Sequence, residues 1–207
     1  MKNDVPLSGL GVTEYCRVLA SDSPAPGGGS TAALCAALAA ALGAMAGNIT
    51  AHHADAAQLL RLTALNERAD ELQKELLSAV DADAAAYAAF TAVLKRDKND
   101  PERPRLREEK LRESALVPLR IMELGADTAR LLEDYAAESS PALLSDVATG
   151  AALLEGALRA GAVNVRVNTA AMKDRESALA LEQRAEELLV GELPRLRELF
   201  ERLYQEL

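Results

Sequence analysis

Two aspartates inside an alanine-rich run, Val80-Asp81-Ala82-Asp83-Ala84-Ala85-Ala86-Tyr87, are the residues best suited to proton chemistry. Aspartate disfavours helix interiors, so its appearance twice in a helical run asks for a reason. Residues two apart on a helix lie about 200° apart, so the two carboxylates face opposite ways and do not form a paired-carboxylate site. Asp83, Tyr87 and Phe90 instead share one stripe, at i, i+4 and i+7. A carboxylate flanked by two aromatics on a half-buried face can pass protons to and from a substrate. A solvated aspartate beside ordinary core aromatics has the same spacing.

A second chemical feature is Pro24-Ala25-Pro26-Gly27-Gly28-Gly29-Ser30, which opens onto an uncharged, Ala-rich helical segment. The prolines oppose helix before it and the glycines let the backbone pass close to another group. Ser30 has the chemistry of an N-cap, with the helix expected from Thr31 to about Ile49. The first-turn N–H groups then point into the glycine loop, where they suit an oxygen-rich or anionic group; a flexible linker ending in a cap reads the same way. No lysine follows the glycines and no strand precedes them, so neither a Walker loop nor a dinucleotide fold is indicated.

Asn164 and Asn168 in Gly161-Ala162-Val163-Asn164-Val165-Arg166-Val167-Asn168 are four apart, so both amides leave one face of an apolar helix. They either lock a helix pair or read the polar edge of a heterocycle. Asp146, in Leu144-Ser145-Asp146-Val147, is either an internal cap or a further polar reader. The basic run containing Lys95, Arg96, Lys98, Arg103, Arg105 and Arg107 is a solvated turn, or a receiver for an anionic substrate tail. Adjacent His52 and His53 diverge by about 100° on a helix, with no HxxxH or CxxC beside them, so no metal site is expected.

The elements that must position these groups are helices. Ala, Leu and Glu dominate and no strand–turn–strand pattern appears, which gives an all-α class. A short helix is expected over about 11–20, then the Ala-rich one. A long helix over about 54–94 has Leu59, Leu62, Leu65, Leu72, Leu76, Val80 and Tyr87 at threes, fours and their multiples. Another is expected over about 105–136 with a kink at Pro118. A fifth starts near Ser139, Ser140 and Pro141, and a last one runs from Asp174 with a kink or break at Pro194. The sum is one domain over residues 1–207, a bundle of long helices kinked at prolines. Small residues on several helices point to apolar surface shared between subunits, so a homodimer is expected.

Composition sets the remaining bounds. A net charge of −9 argues against non-specific nucleic-acid binding. Met1 to Leu10 is polar and broken by Pro6 and Gly9, so no signal peptide is expected. Gly27 to Ala51 is long enough to span a membrane, but Ala and Gly make it weakly hydrophobic, and it reads as a buried helix. Cys16 and Cys35 read as reduced, packed thiols of a cytoplasmic protein.

Taken in order, PAPGGGS, VDADAAAY, the Lys95-to-Pro101 turn, VPL at Val117 to Leu119, Ser145-Asp146-Val147 and GAVNVRVN resemble the cyclodeaminase/cyclohydrolase family across essentially the whole chain. The resemblance implies an all-α dimer acting on one-carbon units carried by tetrahydrofolate, with no cofactor beyond that folate-borne substrate. It implies that Asp83 is the proton acceptor, agreeing with the helical-face argument. It also implies folate contacts from Gly27, Gly28, Gly29 and Ser30. Tyr87, Asp146, Asn164 and Asn168 are candidates for the substrate, and Lys95 and Lys98 for its glutamate tail. Many members carry Gly-Asn where this chain has Ser139-Ser140, a departure that bears on substrate preference. The reaction is either formimino cyclisation with loss of ammonia or hydrolysis of the methenyl product. A helical dimer that only binds folate or a partner protein is the reading from another class.

Overall fold

A computed structural model describes residues 5–207. Met1 to Asp4, the start of the stretch read as a polar N-terminus, lie outside it. Among the described residues all regular structure is helical. After a 3₁₀ turn at Leu7–Gly9 come α1 (Val12–Leu19), α2 (Gly28–Ala51), α3 (Ala56–Leu94), α4 (Arg103–Glu138), α5 (Leu144–Ala170) and α6 (Arg175–Gln205).

Helices α2 to α5 pack in a ring, each against the next and α5 back against α2, while α6 lies outside along α4 and α5. Side-chain bonds fix the directions. Ser30 meets Asp83 and Asn48 meets Asn66, so α2 and α3 are antiparallel. Alanine lets α2 sit deep: Ala32, Ala33, Ala36, Ala39, Ala40 and Ala46 are almost fully buried. Gly43 and Gly47 leave room for the Tyr135 ring of α4, whose hydroxyl donates to Asn66 Oδ1 at 2.6 Å. By length and composition alone α2 and α3 could each cross a membrane, but 56% of the most apolar α2 window is buried in the bundle.

Several boundaries depart from the sequence reading, each for a local reason. Helix α2 starts at Gly28 with Gly27 as N-cap, so Ser30 lies inside the first turn and is not the cap. Asp55 caps α3 by accepting from the Gln58 N–H at 2.8 Å. Ser140-Pro141 opens a 3₁₀ turn over Pro141–Leu143, and α5 begins only at Leu144. Asp174 caps α6 through the Ser177 N–H. Helices α4 and α6 continue through Pro118 and Pro194. On α3, Leu62, Leu72, Leu76 and Val80 are buried, whereas Leu59 and Tyr87 are each 45% exposed and lie off the core stripe. Cys16 is exposed and Cys35 half-buried, so only Cys35 fits the packed-thiol expectation.

Candidate active site

The first turn of a helix offers N–H groups with no partner in their own helix. At the start of α2 one of them, Ser30 N–H, donates to Asp83 Oδ2 at 2.8 Å. The Ser30 hydroxyl donates to the same oxygen at 2.8 Å, and stands 3.0 Å from the Val80 carbonyl one turn back on α3. Asp83 therefore does the capping that the sequence assigns to Ser30, from 53 residues away. The positive end of the α2 dipole and two donors favour a carboxylate there. Oδ1 accepts no hydrogen bond among the described residues, leaving it for a substrate proton.

Glycine is required at this contact. A Cβ on Gly29 would stand 2.1 Å from Asp83 Oδ1, and one on Gly28 would stand 3.0 Å from Asn164 Nδ2. The loop thus brings α3 and α5 against the start of α2. The N–H groups of Gly28 and Gly29 have no acceptor among the described residues, so they face the same spot with donors to offer.

The other aspartate of the pair works elsewhere. Asp81 accepts from the Ser8 N–H and hydroxyl, pinning the N-terminal 3₁₀ turn to another side of α3. The 200° divergence thus gives the two carboxylates separate partners in separate segments.

The two asparagines separate as well. Asn164 Nδ2 donates back to the Ala160 carbonyl at 2.8 Å, leaving Oδ1 unbonded at the glycine loop. Asn168 Nδ2 donates to the Ser114 carbonyl of α4 at 2.9 Å. That carbonyl is the one Pro118 strands, because proline has no N–H to return to residue i−4. Asn168 thus ties α4 to α5 through its amide nitrogen, while its Oδ1, like that of Asn164, accepts no hydrogen bond among the described residues. Asn168→Ala should lower stability by about 1–3 kcal/mol, since it leaves a buried carbonyl unpaired. A denaturant melt would check this, with the midpoint falling and helicity at zero denaturant unchanged.

Five further residues of the sequence reading are not brought to Asp83. Asp146 lies in the first turn of α5, eighteen residues before Asn164, or roughly 27 Å along the axis. Ser139 and Ser140 lie at that same far end, where the Ser140 N–H donates to Thr50 Oγ1 at the close of α2. Lys95 ends α3, twelve residues or about 18 Å beyond Asp83, and exposed Lys98 follows in the next turn. Tyr87 lies one turn after Asp83, half out of the protein. Phe90, third on that stripe, packs against the core.

One buried residue, ahead of the glycine loop in sequence, had no role in the sequence reading. Tyr15 is the sole buried residue of α1, 6% exposed, and its hydroxyl has no hydrogen-bond partner among the described residues. A lone aromatic on a short helix with polar neighbours, just ahead of the glycine loop, was the available signal.

Comparison with known proteins places this arrangement. A profile described as formiminotransferase-cyclodeaminase matches residues 11–187. The formimidoyltransferase-cyclodeaminase of Rattus norvegicus is 34% identical over 169 residues, covering 77% of this chain but 30% of the rat protein. The chain thus spans under a third of that relative's length. The methenyltetrahydrofolate cyclohydrolase of Methylorubrum extorquens is 31% identical over 198 residues, 90% of each chain. The crystal structure of formiminotetrahydrofolate cyclodeaminase from Thermotoga maritima superposes with a TM-score of 0.81 at 24% identity, over 94% of this chain and 98% of that one, and shares the fold.

Proposed function

The chain belongs to the formiminotransferase-cyclodeaminase family, and on that premise we propose that it is a formiminotetrahydrofolate cyclodeaminase with Asp83 as general base and acid. The observation that carries this reading is the Asp83 carboxylate, anchored at Oδ2 by both donors of Ser30 and unbonded at Oδ1. N10 of the folate attacks the protonated formimino carbon on N5, and the C=N electron pair moves onto the formimino nitrogen. Asp83 takes the proton from N10 and gives it to that nitrogen, which leaves as ammonia. The product is the 5,10-methenyl cation, so charge and atoms balance with substrate alone. Proton transfer by a positioned side chain is worth about 10²–10⁴-fold. Gly28 and Gly29 N–H groups donate to the folate, and Asn164 Oδ1 is the acceptor facing its pterin.

A second reading is favoured by the Methylorubrum extorquens relative, which matches over 90% of both chains. That protein is named methenyltetrahydrofolate cyclohydrolase, and in this chain the same base would activate water to attack the methenyl carbon, opening it to 10-formyltetrahydrofolate. Following the methenyl absorbance with purified protein separates the two. A rise from 5-formiminotetrahydrofolate supports the cyclodeaminase. A fall from methenyltetrahydrofolate alone supports the cyclohydrolase. Stoichiometric change without turnover leaves a folate-binding protein.

We also propose a homodimer. Helix α2 carries no charged residue, yet Leu38, Met45 and Ile49 lie 39–48% exposed along one stripe. An uncharged apolar stripe of this kind suits a second copy. Light scattering on the eluted protein should give twice 22.0 kDa. Leu38→Glu should shift it toward one chain mass, and a wild-type protein of one chain mass removes the proposal.

A further inference from the structure

We propose that Arg107 of α4 binds the first glutamate carboxylate of the substrate, and that Arg103, one turn earlier, takes the carboxylate of a further γ-linked glutamate. This rests on the folate reading above and gives the anionic end of the substrate to residues other than Lys95 and Lys98. Contacts lead from the site to Arg107 in steps. Asp83 meets the start of α2, where a Cβ on Gly28 would stand 3.0 Å from Asn164 Nδ2. Asn168 lies one turn further along α5 and donates to the Asn164 carbonyl at 3.0 Å. Three residues on, the Ala171 carbonyl accepts from Arg107 Nη1 at 3.2 Å. The rise from Asn164 to Ala171 is about 10 Å of helix.

The bundle leaves a long substrate one direction in which to extend. On one side of Asp83 the ring is filled by α2, whose Ala32, Ala33 and Ala36 are almost fully buried. On the other side α2 is absent, because it starts at Gly28, while α3 runs on to Leu94 and α5 to Ala170. With the one-carbon unit at Asp83 and the pterin at Asn164, the p-aminobenzoyl arm follows α5 toward Arg107. Ordinary bond lengths put its first carboxylate about 10 Å from N10, which matches the helix rise to that arginine. Arg107 and Arg103 are half-buried and have no carboxylate partner among the described residues, whereas exposed Arg96 and Arg105 pair with Asp100 and Glu102. Glu108 has turned Oε1 to the Lys173 and Asp174 N–H groups. Arg103 Nη2 donates to the Leu94 carbonyl at 3.2 Å, and its Nε is buried without a partner. Backbone carbonyls thus hold both guanidiniums in place with their charge unspent, and a held guanidinium suits a carboxylate through paired N–H bonds. Lys95 and Lys98 are exposed, so water already satisfies them.

The test is a binding comparison with the whole chain, run beside the methenyl assay. The probes are 5-formyltetrahydrofolate, its triglutamate and 5-formyltetrahydropteroate, which has no glutamate. Wild type should bind the monoglutamate about tenfold or more tighter than the pteroate, the scale for a hydrogen bond to a charged group. Arg107→Gln should bind those two equally and melt near wild type, because its amide can still donate to the Ala171 carbonyl. Arg103→Gln should keep that preference and lose only the gain from the added glutamates. A variant with Lys95→Ala and Lys98→Ala should keep both. An Arg107→Gln protein with the wild-type preference, or a lysine variant without it, overturns the assignment, and active wild type then leaves the folate reading standing. Should Arg107→Gln fail to fold, wild type still decides, since equal affinity for monoglutamate and pteroate overturns the assignment. Wild type that binds no probe and turns over neither substrate overturns the folate reading itself, and the Arg107 assignment with it.

Discussion

Replacing Asp83 by asparagine should cut turnover of the preferred folate by about a thousandfold, within the range for a lost general base, while the protein stays folded. The amide has the shape of the carboxylate and its oxygen can still accept from the Ser30 N–H and hydroxyl that hold Oδ2. What disappears is the proton-accepting lone pair at the other oxygen, and the negative charge at the start of α2. That charge is worth about 0.3–1 kcal/mol at a helix N-terminus, a drop of only a few degrees in melting temperature for a chain of this size. Circular dichroism and a methenyl-absorbance assay on one preparation read both quantities. A D83N protein within tenfold of wild type would remove Asp83 from the chemistry.

Gly29→Ala tests the same atoms from the opposite side. The added methyl would occupy a point 2.1 Å from Oδ1 and 2.6 Å from Cγ of Asp83. Nothing can stay in place at those separations. The aspartate is short and Ser30 holds its other oxygen, so either the carboxylate or the start of α2 moves. A misplacement of about 1 Å at a reacting group costs on the order of a hundredfold in rate, and that loss is expected here. Stability should change little, because alanine in a helix gains about 0.5–1 kcal/mol over glycine and offsets part of the strain. Combining the two changes distinguishes this from a general packing defect. If Gly29 acts through Asp83, the G29A/D83N double variant should be no slower than D83N alone. Losses that multiply would instead mean that Gly29 acts independently.

The all-α class was legible in composition and periodicity, and so was the divergence of Asp83 from Asp81, which helical geometry dictates. What the sequence could not show was the far partner of a local motif. Ser30 looks like a cap because serines before helices usually are. Yet Asp83 supplies the acceptor from 53 residues away, and Ser30 turns donor toward it. Asn164 and Asn168 looked equivalent because spacing places them on one face. Only the packing of α4 shows that Pro118 strands the carbonyl that Asn168 serves. Asp146 read as an internal cap or a polar reader from its own segment, Leu144-Ser145-Asp146-Val147, which carries no distance to the glycine loop. Long antiparallel helices set the starts of α2 and α5 at opposite ends of the bundle, and a sequence order carries no such distance. Tyr15 was passed over because one aromatic in an eight-residue helix has no periodic partner to mark it.

The bond from the Ser30 amide to Asp83 has a use beyond holding the carboxylate. A backbone N–H whose acceptor is the reacting group feels each change in that group's charge directly. Its nuclear magnetic resonance signal should therefore move when Asp83 gains or loses a proton, or when a ligand draws on the carboxylate. In the D83N protein that response should vanish. The backbone at the mouth of α2 is thus an indicator wired to the chemistry, and it can be read without substrate turnover or a coloured product.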